Sequence, residues 1–317
     1  MRHYKNTAVA ALVLAGLFFG GGDSVAGDIN SNAGTSAFSF LKINVGARAV
    51  ALGGAFTGLA DDESALYYNP AGIASIDEKR FILGYHNYFV DMQSGFAGYI
   101  HALGSGRALG FYASYLNYGE FIETDEFGNA TGEFSGGDFL LAVSGAMKKG
   151  YYLNFGVTAK FIYEKIQDFS ATGIAVDLAA KYTSNRQRYS GGLMIQNLGF
   201  QLSSLGEEKD KLPLTFRGGF ASNPRGLPFR LSADIILPVD NDPIIALGSE
   251  YFALKPLHVR LGWNTFGSNF RAAESDDDWA GFSVGIGIDV RKLQLSYAFS
   301  PSADLGESHR ITLTGGF

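Results

Sequence analysis

The amino-acid sequence predicts an all-β protein, built as one antiparallel transmembrane barrel of fourteen strands. Three observations predict it. From about residue 79 onward, apolar and polar residues alternate with a period of two, which lays the two sets on opposite faces of a sheet. The links between these runs switch between tight turns and longer polar stretches, as in barrels with short turns at one membrane surface and long loops at the other. Composition agrees: charged residues are 18% of 317 and aromatics 14%, with a mean hydropathy of only +0.06. An ordinary soluble domain carries about 25% charged residues.

Charge and cysteine usage exclude several functions. The net charge of −6 argues against nucleic acid, which calls for a basic stripe. The absence of Cys removes disulfides, thiolate metal sites, Cys nucleophiles and a lipid anchor on an N-terminal cysteine.

In chain order, the first element is an address. Arg2, His3 and Lys5 precede an apolar run from Ala8 to Phe19, and Ser24-Val25-Ala26 is a small-x-small cleavage site. Residues 1–26 therefore read as a secretory signal peptide, too short in its core to span a membrane as a stable helix. Residues 27–78 follow without alternation. Their densest part runs Gly46-Ala47-Arg48-Ala49-Val50-Ala51-Leu52-Gly53-Gly54-Ala55, passes Asp61-Asp62-Glu63-Ser64-Ala65 and closes on Tyr67-Tyr68-Asn69-Pro70-Ala71-Gly72.

Residues 79–317 carry the strands, expected near 79–89, 92–102, 107–118, 134–147, 150–163, 172–184, 187–199, 212–222, 227–237, 243–254, 257–266, 279–290, 292–300 and 308–317. Val284, Ile286 and Ile288 alternating with Ser283, Gly285 and Gly287 exemplify the pattern. Tight links such as Gly104-Ser105-Gly106 and Arg291-Lys292 follow the even strands. Longer ones, 119–133, 165–171, 201–211, 267–278 and 301–307, mostly follow the odd ones, although the first link, Val90-Asp91, is short and breaks the pattern. An even strand number places both chain ends on the short-turn, periplasmic side. Tyr85, Tyr115, Tyr118, Tyr151 and Tyr182 fall near strand ends, where aromatic rings meet the membrane–water interface. The last strand alternates Ile311, Leu313, Gly315 and Phe317. A closing strand with a terminal Phe resembles the signal read by the outer-membrane barrel-assembly machinery.

No constellation points to catalysis, a metal or a cofactor. The five His (His3, His86, His101, His258 and His309) show no metal-ligand spacing. His258 and His309 are expected with the polar set, in the lumen or at the interface. Asp276-Asp277-Asp278 reads as a solvated loop cluster. Gly285 and Gly287 lie mid-strand with no helix after them, so they suit close backbone approach rather than a nucleotide.

The string Gly46-Ala47-Arg48-Ala49, Leu52-Gly53-Gly54-Ala55, Asp61, and Ser64-Ala65-Leu66-Tyr67-Tyr68-Asn69-Pro70-Ala71-Gly72 resembles the N-terminal signature of the PorV/PorQ family, within the FadL-like outer-membrane barrels. The resemblance implies a small N-terminal helical hatch in the lumen and location in the outer membrane after cleavage. It also implies a non-enzymatic role in type IX protein secretion, handling cargo sorting domains or anchoring the surface-attachment machinery. From the FadL side the alternative is a channel for hydrophobic small molecules leaving sideways through the wall. Partners are then outer-membrane lipid, the assembly machinery and, for the first role, secretion-system proteins.

A hatch has a physical reason. Fourteen strands enclose more space than side chains alone fill. Ala47–Ala60 is expected as one close-packing helix and Asp61–Tyr67 as a second, with its acids at the positive dipole end and Pro70 stopping it. Arg48 needs a lumen partner, with Asp234 or Asp289 the candidates. Arg48, Gly53, Gly54, Asp61, Asn69, Pro70 and Gly72 are the candidate gating or ligand residues, and Phe317 the assembly signal.

Overall fold

The computed structural model describes residues 32–88, 92–270, 279–301 and 306–317. The signal segment 1–26 and Asp276–Asp278 lie outside the described residues. Alternation becomes a wall. The strands are β1 (Arg80–Asn87), β2 (Gln93–Gly104), β3 (Arg107–Thr124), β4 (Ala130–Lys149), β5 (Leu153–Ile166), β6 (Phe169–Thr183) and β7 (Tyr189–Ser203). The chain continues through β8 (Thr215–Ser222), β9 (Phe229–Pro238), β10 (Ile244–Tyr251), β11 (Leu257–Asn264), β12 (Phe282–Val290), β13 (Leu293–Pro301) and β14 (Glu307–Gly316). Each pairs antiparallel with its sequence neighbours, and β1 closes on β14 in one fourteen-stranded barrel.

In β12, Val284 and Ile286 face outward while Ser283, Gly285 and Gly287 face the lumen. Exposed Leu, Phe, Val, Ile and Tyr side chains occur on strands from β1 to β14, among them Leu83, Phe111, Leu141, Phe155, Phe220, Leu261 and Ile311. A soluble monomer rarely exposes so continuous an apolar surface. This is the exterior of a barrel that spans a membrane.

Two expected loops are mostly strand. Residues 119–133 continue β3 and β4 into a hairpin that outruns its neighbours, and 165–171 shrinks to a two-residue turn between Ile166 and Phe169. Polar residues on an extramembrane ribbon look like loop in the sequence, because both faces meet water. His309 is another departure. It sits on the outward face of β14 against Tyr297, whose hydroxyl lies 2.8 Å from its Nδ1, while His258 faces inward.

The non-alternating segment fills the lumen as a hatch. At the long-loop end Ser36 bridges Lys211, and Ala37 N donates to the Lys211 carbonyl at 3.0 Å. After a 3₁₀ turn at Ser39–Lys42 the chain descends to α1 (Ala47–Ala51). The expected helix to Ala60 stops early because Gly53 and Gly54 take φ of +68° and +83°, left-handed values that end a right-handed helix. A Cβ at Gly53 would lie 2.6 Å from the Trp263 carbonyl oxygen, so the turn also needs glycine to fit against the wall.

The acids at 61–63 reach the short-turn end, and the chain turns back through α2 (Ala65–Tyr68). They lie ahead of this helix rather than inside it: Asp62 Oδ1 accepts from Ser64 N at 2.8 Å. Pro70 ends α2 as expected and also opens a 3₁₀ helix, Pro70–Ser75. Both barrel ends, Arg80 and Gly316, meet at the short-turn end, but the hatch carries its own start back to the long-loop end. The expectation of both chain ends at one surface therefore holds for the barrel and fails for the described chain.

Candidate functional site

The hatch divides the lumen into two chambers of different chemistry. At the short-turn end a charged vestibule of about 580 Å³ is lined by Arg48, Asp61, Asp62, Arg230, Glu250 and neighbours. Arg48 on α1 points down into it. Its guanidinium donates to Asp61 at 2.7 Å, Asp62 at 2.7 Å and both oxygens of Glu250 at 3.0 and 2.8 Å. Glu250, 3% exposed on β10, also accepts from Arg230 at 3.1 Å and from the fully buried Arg260 at 2.8 Å. Three arginines thus converge on one carboxylate and tie hatch to wall.

The partner expected for Arg48 was Asp234 or Asp289. Both are occupied elsewhere. Asp234, at mid-barrel, accepts from Phe56 N and Thr57 N at 3.1 and 2.8 Å and faces Arg217 at 3.6 Å. Asp289 holds His258 at 2.8 Å. Arg48 points toward the short turns, away from mid-barrel Asp234, while Asp289 lines the same vestibule but is taken up by His258 and Gln294. Beside this latch, Glu63 is buried and bonded to Arg80. Burial and the neighbouring Asp62 carboxylate push Glu63 up to about 7. Arg80, partly solvated and shared with Glu78, offsets them only in part.

At the long-loop end lies a cavity of about 340 Å³. Its apolar lining includes Leu41, Ile43 and Val50 from the hatch and Ile236, Ile244 and Phe266 from the barrel side. Ser300, Ser308, Arg217 and Arg310 add polar groups. Arg217 is committed: it donates to Thr57 Oγ1 and to the Gly54 carbonyl at 3.1 and 3.0 Å and lies over the Tyr68 ring. Arg310 is not. It is 7% exposed and donates to Ser308 Oγ at 2.7 Å, but its Nε has no partner, nor has Ser300 Oγ. Among the described residues Arg310 has no carboxylate at ion-pair distance. A buried cation without a counter-charge is costly, and an anion entering the cavity would supply one.

The wall beside this cavity is irregular. The β7–β8 ladder ends at Gln196↔Thr215, although β7 runs on to Ser203. At the break Asn197 takes φ of +62°, and its amide N donates to Asp177 at 2.8 Å while its Nδ2 donates to the Pro213 carbonyl at 3.2 Å. Above Gln196 the gap is covered by the 204–214 connection rather than by ladder hydrogen bonds.

The residues singled out in the sequence divide between the chambers and the packing. Arg48 and Asp61 form the vestibule latch, and Gly53 lines the outer cavity. Gly54 supplies the carbonyl that Arg217 holds. Asn69 is a clip: fully buried, its Nδ2 donates to Thr57 O at 2.8 Å and its Oδ1 accepts from Ala71 N at 3.1 Å. Pro70 starts the following turn, and Gly72 lies against the backbone of Ala60. Phe317 stands outside, its ring 5.5 Å from Phe81 and its N bonded to the Lys79 carbonyl. Arg217 and Arg310 were missed; the available signal was a lone cation among small inward residues, Thr215, Gly219 and Ala221 on β8 and Ser308 and Thr312 on β14.

Comparison with known proteins places this geometry. The model of an uncharacterised protein family, UPF0164, matches residues 22–203. A UPF0164 protein of Treponema pallidum (strain Nichols) is 26% identical over 316 residues, covering 92% of this chain and 71% of the relative. Among solved structures, the Pseudomonas putida toluene transporter TodX is similar with a TM-score of 0.58 at 13% identity, over 86% of this chain and 96% of TodX. A FadL homologue of Pseudomonas aeruginosa is similar with a TM-score of 0.53 at 12% identity, over 86% and 98%. At these identities the likeness is one of fold.

Proposed function

The chain belongs to the UPF0164 family, and from that premise we propose that it is an outer-membrane channel for hydrophobic small molecules with an anionic end. The observation that carries the proposal is the outer cavity, whose volume falls within the range of about 300–1,000 Å³ common to small-molecule sites. Its walls are mainly hydrocarbon, and Arg310 has no carboxylate at ion-pair distance among the described residues. A molecule entering from the long-loop side places its anionic end at Arg310 and its apolar body against Ile43, Ile236 and Phe266. The hatch blocks straight passage below. The unladdered wall beside Asn197 offers a sideways exit into the bilayer, and the fold likeness to the toluene transporter TodX supports a transport use of this barrel.

The test is binding to the purified barrel of three chain-matched probes: decanoate, decanol and decylamine. Decanoate is expected to bind best, and Arg310→Met to reduce its affinity to that of decanol, a loss of about tenfold or more for a charge-assisted contact. Equal binding of all three, or no effect of the substitution, would refute the assignment.

The protein-secretion role implied by the PorV/PorQ resemblance is a second reading. The comparisons lend it no support, and one feature favours it: the β3–β4 hairpin standing beyond the adjacent strands β2 and β5.

A further inference from the structure

The β3–β4 hairpin outruns the wall. β3 is 18 residues and β4 is 20, whereas about 9–11 suffice to cross a bilayer. β2 leaves β3 at Gln93↔Asn117, and β5 leaves β4 at Gly136↔Ile166. Beyond those points, apart from Gln167 N donating to the Ser135 carbonyl at 3.0 Å, the two strands pair among the described residues only with each other, from Glu120↔Ser135 to Thr124↔Ala130. Residues 118–124, at about 3.3 Å each, carry the arm roughly 20 Å past its neighbours. Above Ser135, both of its edges therefore offer backbone groups unpaired among the described residues, the usual template for an added strand.

The arm is built rather than frayed. Phe121 and Phe134 stack across it at 5.3 Å. At its tip Asp125 Oδ1 accepts from Phe127 N and Asn129 N, both at 2.9 Å, and Oδ2 accepts from Asn129 Nδ2 at 2.9 Å. The tip so fixed presents Phe127 at 88% exposure, with Ile122 at 69%. Ordered aromatics on a fixed scaffold lose little entropy on burial and make good anchors.

Charge selects the occupant. Glu120, Glu123, Asp125, Glu126 and Glu133 lie on the arm, and the sequence has no Lys or Arg between Arg107 and Lys148. This excess of negative charge repels a second copy of itself and an anionic lipid surface. We propose that the arm docks a protein partner outside the membrane, one that offers an edge strand bearing Lys or Arg around an apolar seat for Phe127. The inference rests on the long-loop end facing outward and is independent of what the cavity binds.

The test is site-specific photo-crosslinking in intact cells. p-Benzoylphenylalanine replaces Phe127 in one full-length variant and Ile122 in another, with heat-modifiable migration confirming the barrel. The expected result is one shared protein adduct whose cross-linked peptide, mapped by mass spectrometry, carries Lys or Arg within an extended segment. In a background of Glu120→Gln, Glu123→Gln, Glu126→Gln and Glu133→Gln its yield should fall roughly tenfold, through slower encounter and weaker pairing. Adducts only with lipid, adducts only with a second copy, no adduct, or a yield indifferent to the glutamines would each overturn the proposal.

Discussion

Replacing Glu250 by Gln removes the single carboxylate on which Arg48, Arg230 and Arg260 converge while keeping its shape. The consequences differ among the three. Arg48 retains Asp61 and Asp62, and Arg230 retains Asp61. Arg260 has side-chain exposure of 0% and, among the described residues, is left with Ser296 and Gln294, both neutral. Stripping a buried ion of its partner costs about 3–5 kcal/mol. At about 1.4 kcal/mol per tenfold, the undocked hatch should become between about a hundred and a few thousand times more populated. Single-channel recording in planar bilayers reads this directly, as open events in E250Q that wild type lacks. Limited proteolysis within residues 55–65 provides a second readout. Adding Arg260→Met to E250Q should restore much of the closed behaviour, because the stranded charge is then gone. Wild-type conductance and protease resistance in E250Q would refute the latch.

Further outcomes follow from the same geometry. The docked hatch holds Glu63 near 7, above the ordinary carboxylate value, so it favours the protonated acid; this contribution is full at acidic pH and is lost as pH rises through about 7. Hatch proteolysis should therefore quicken between about pH 5 and pH 8, and Glu63→Gln should flatten the profile; a slope unchanged by the substitution would contradict the assignment. Gly248→Leu would set a side chain where a Cβ alone lies 2.7 Å from the Leu52 carbonyl, whereas the outward Gly145 has nothing within 4 Å. Thermal unfolding should fall by about 1–3 kcal/mol for the first, as overpacking does, and scarcely move for Gly145→Leu. Deleting Phe317, which closes against Phe81, should slow the appearance of heat-modifiable barrel in membrane fractions, and assembly at the normal rate would remove its role as a signal.

The barrel was legible because its rule is local. Outward Val284 and Ile286 and inward Ser283 and Gly285 can be assigned from period two alone, and the strand number followed from the turns. That rule breaks outside the bilayer: Glu120, Glu123 and Glu133 mask a ribbon as a loop. The hatch was legible as a place, since a wide lumen needs filling, but its path was not. Gly53 turns the chain hard against the wall of β11, and no local pattern tells that Arg48 on α1 meets Glu250 rather than Asp234. The cavity was the least legible part. Arg310 and Arg260 look alike in the sequence, as lone inward arginines; only the folded barrel sets Arg260 on Glu250 and leaves Arg310 without a carboxylate among the described residues.

We propose the outer cavity as the route of a hydrophobic molecule. Uptake of radiolabelled decanoate into liposomes carrying the barrel tests it most directly, with Ile236→Trp filling the cavity from the wall of β9 as the comparison. Wild-type vesicles should take up the label faster than protein-free ones, and the filled variant, still heat-modifiable and still latched at Glu250, should fall to the protein-free rate. Uptake by the filled barrel equal to wild type, or wild type no faster than bare lipid, would contradict it.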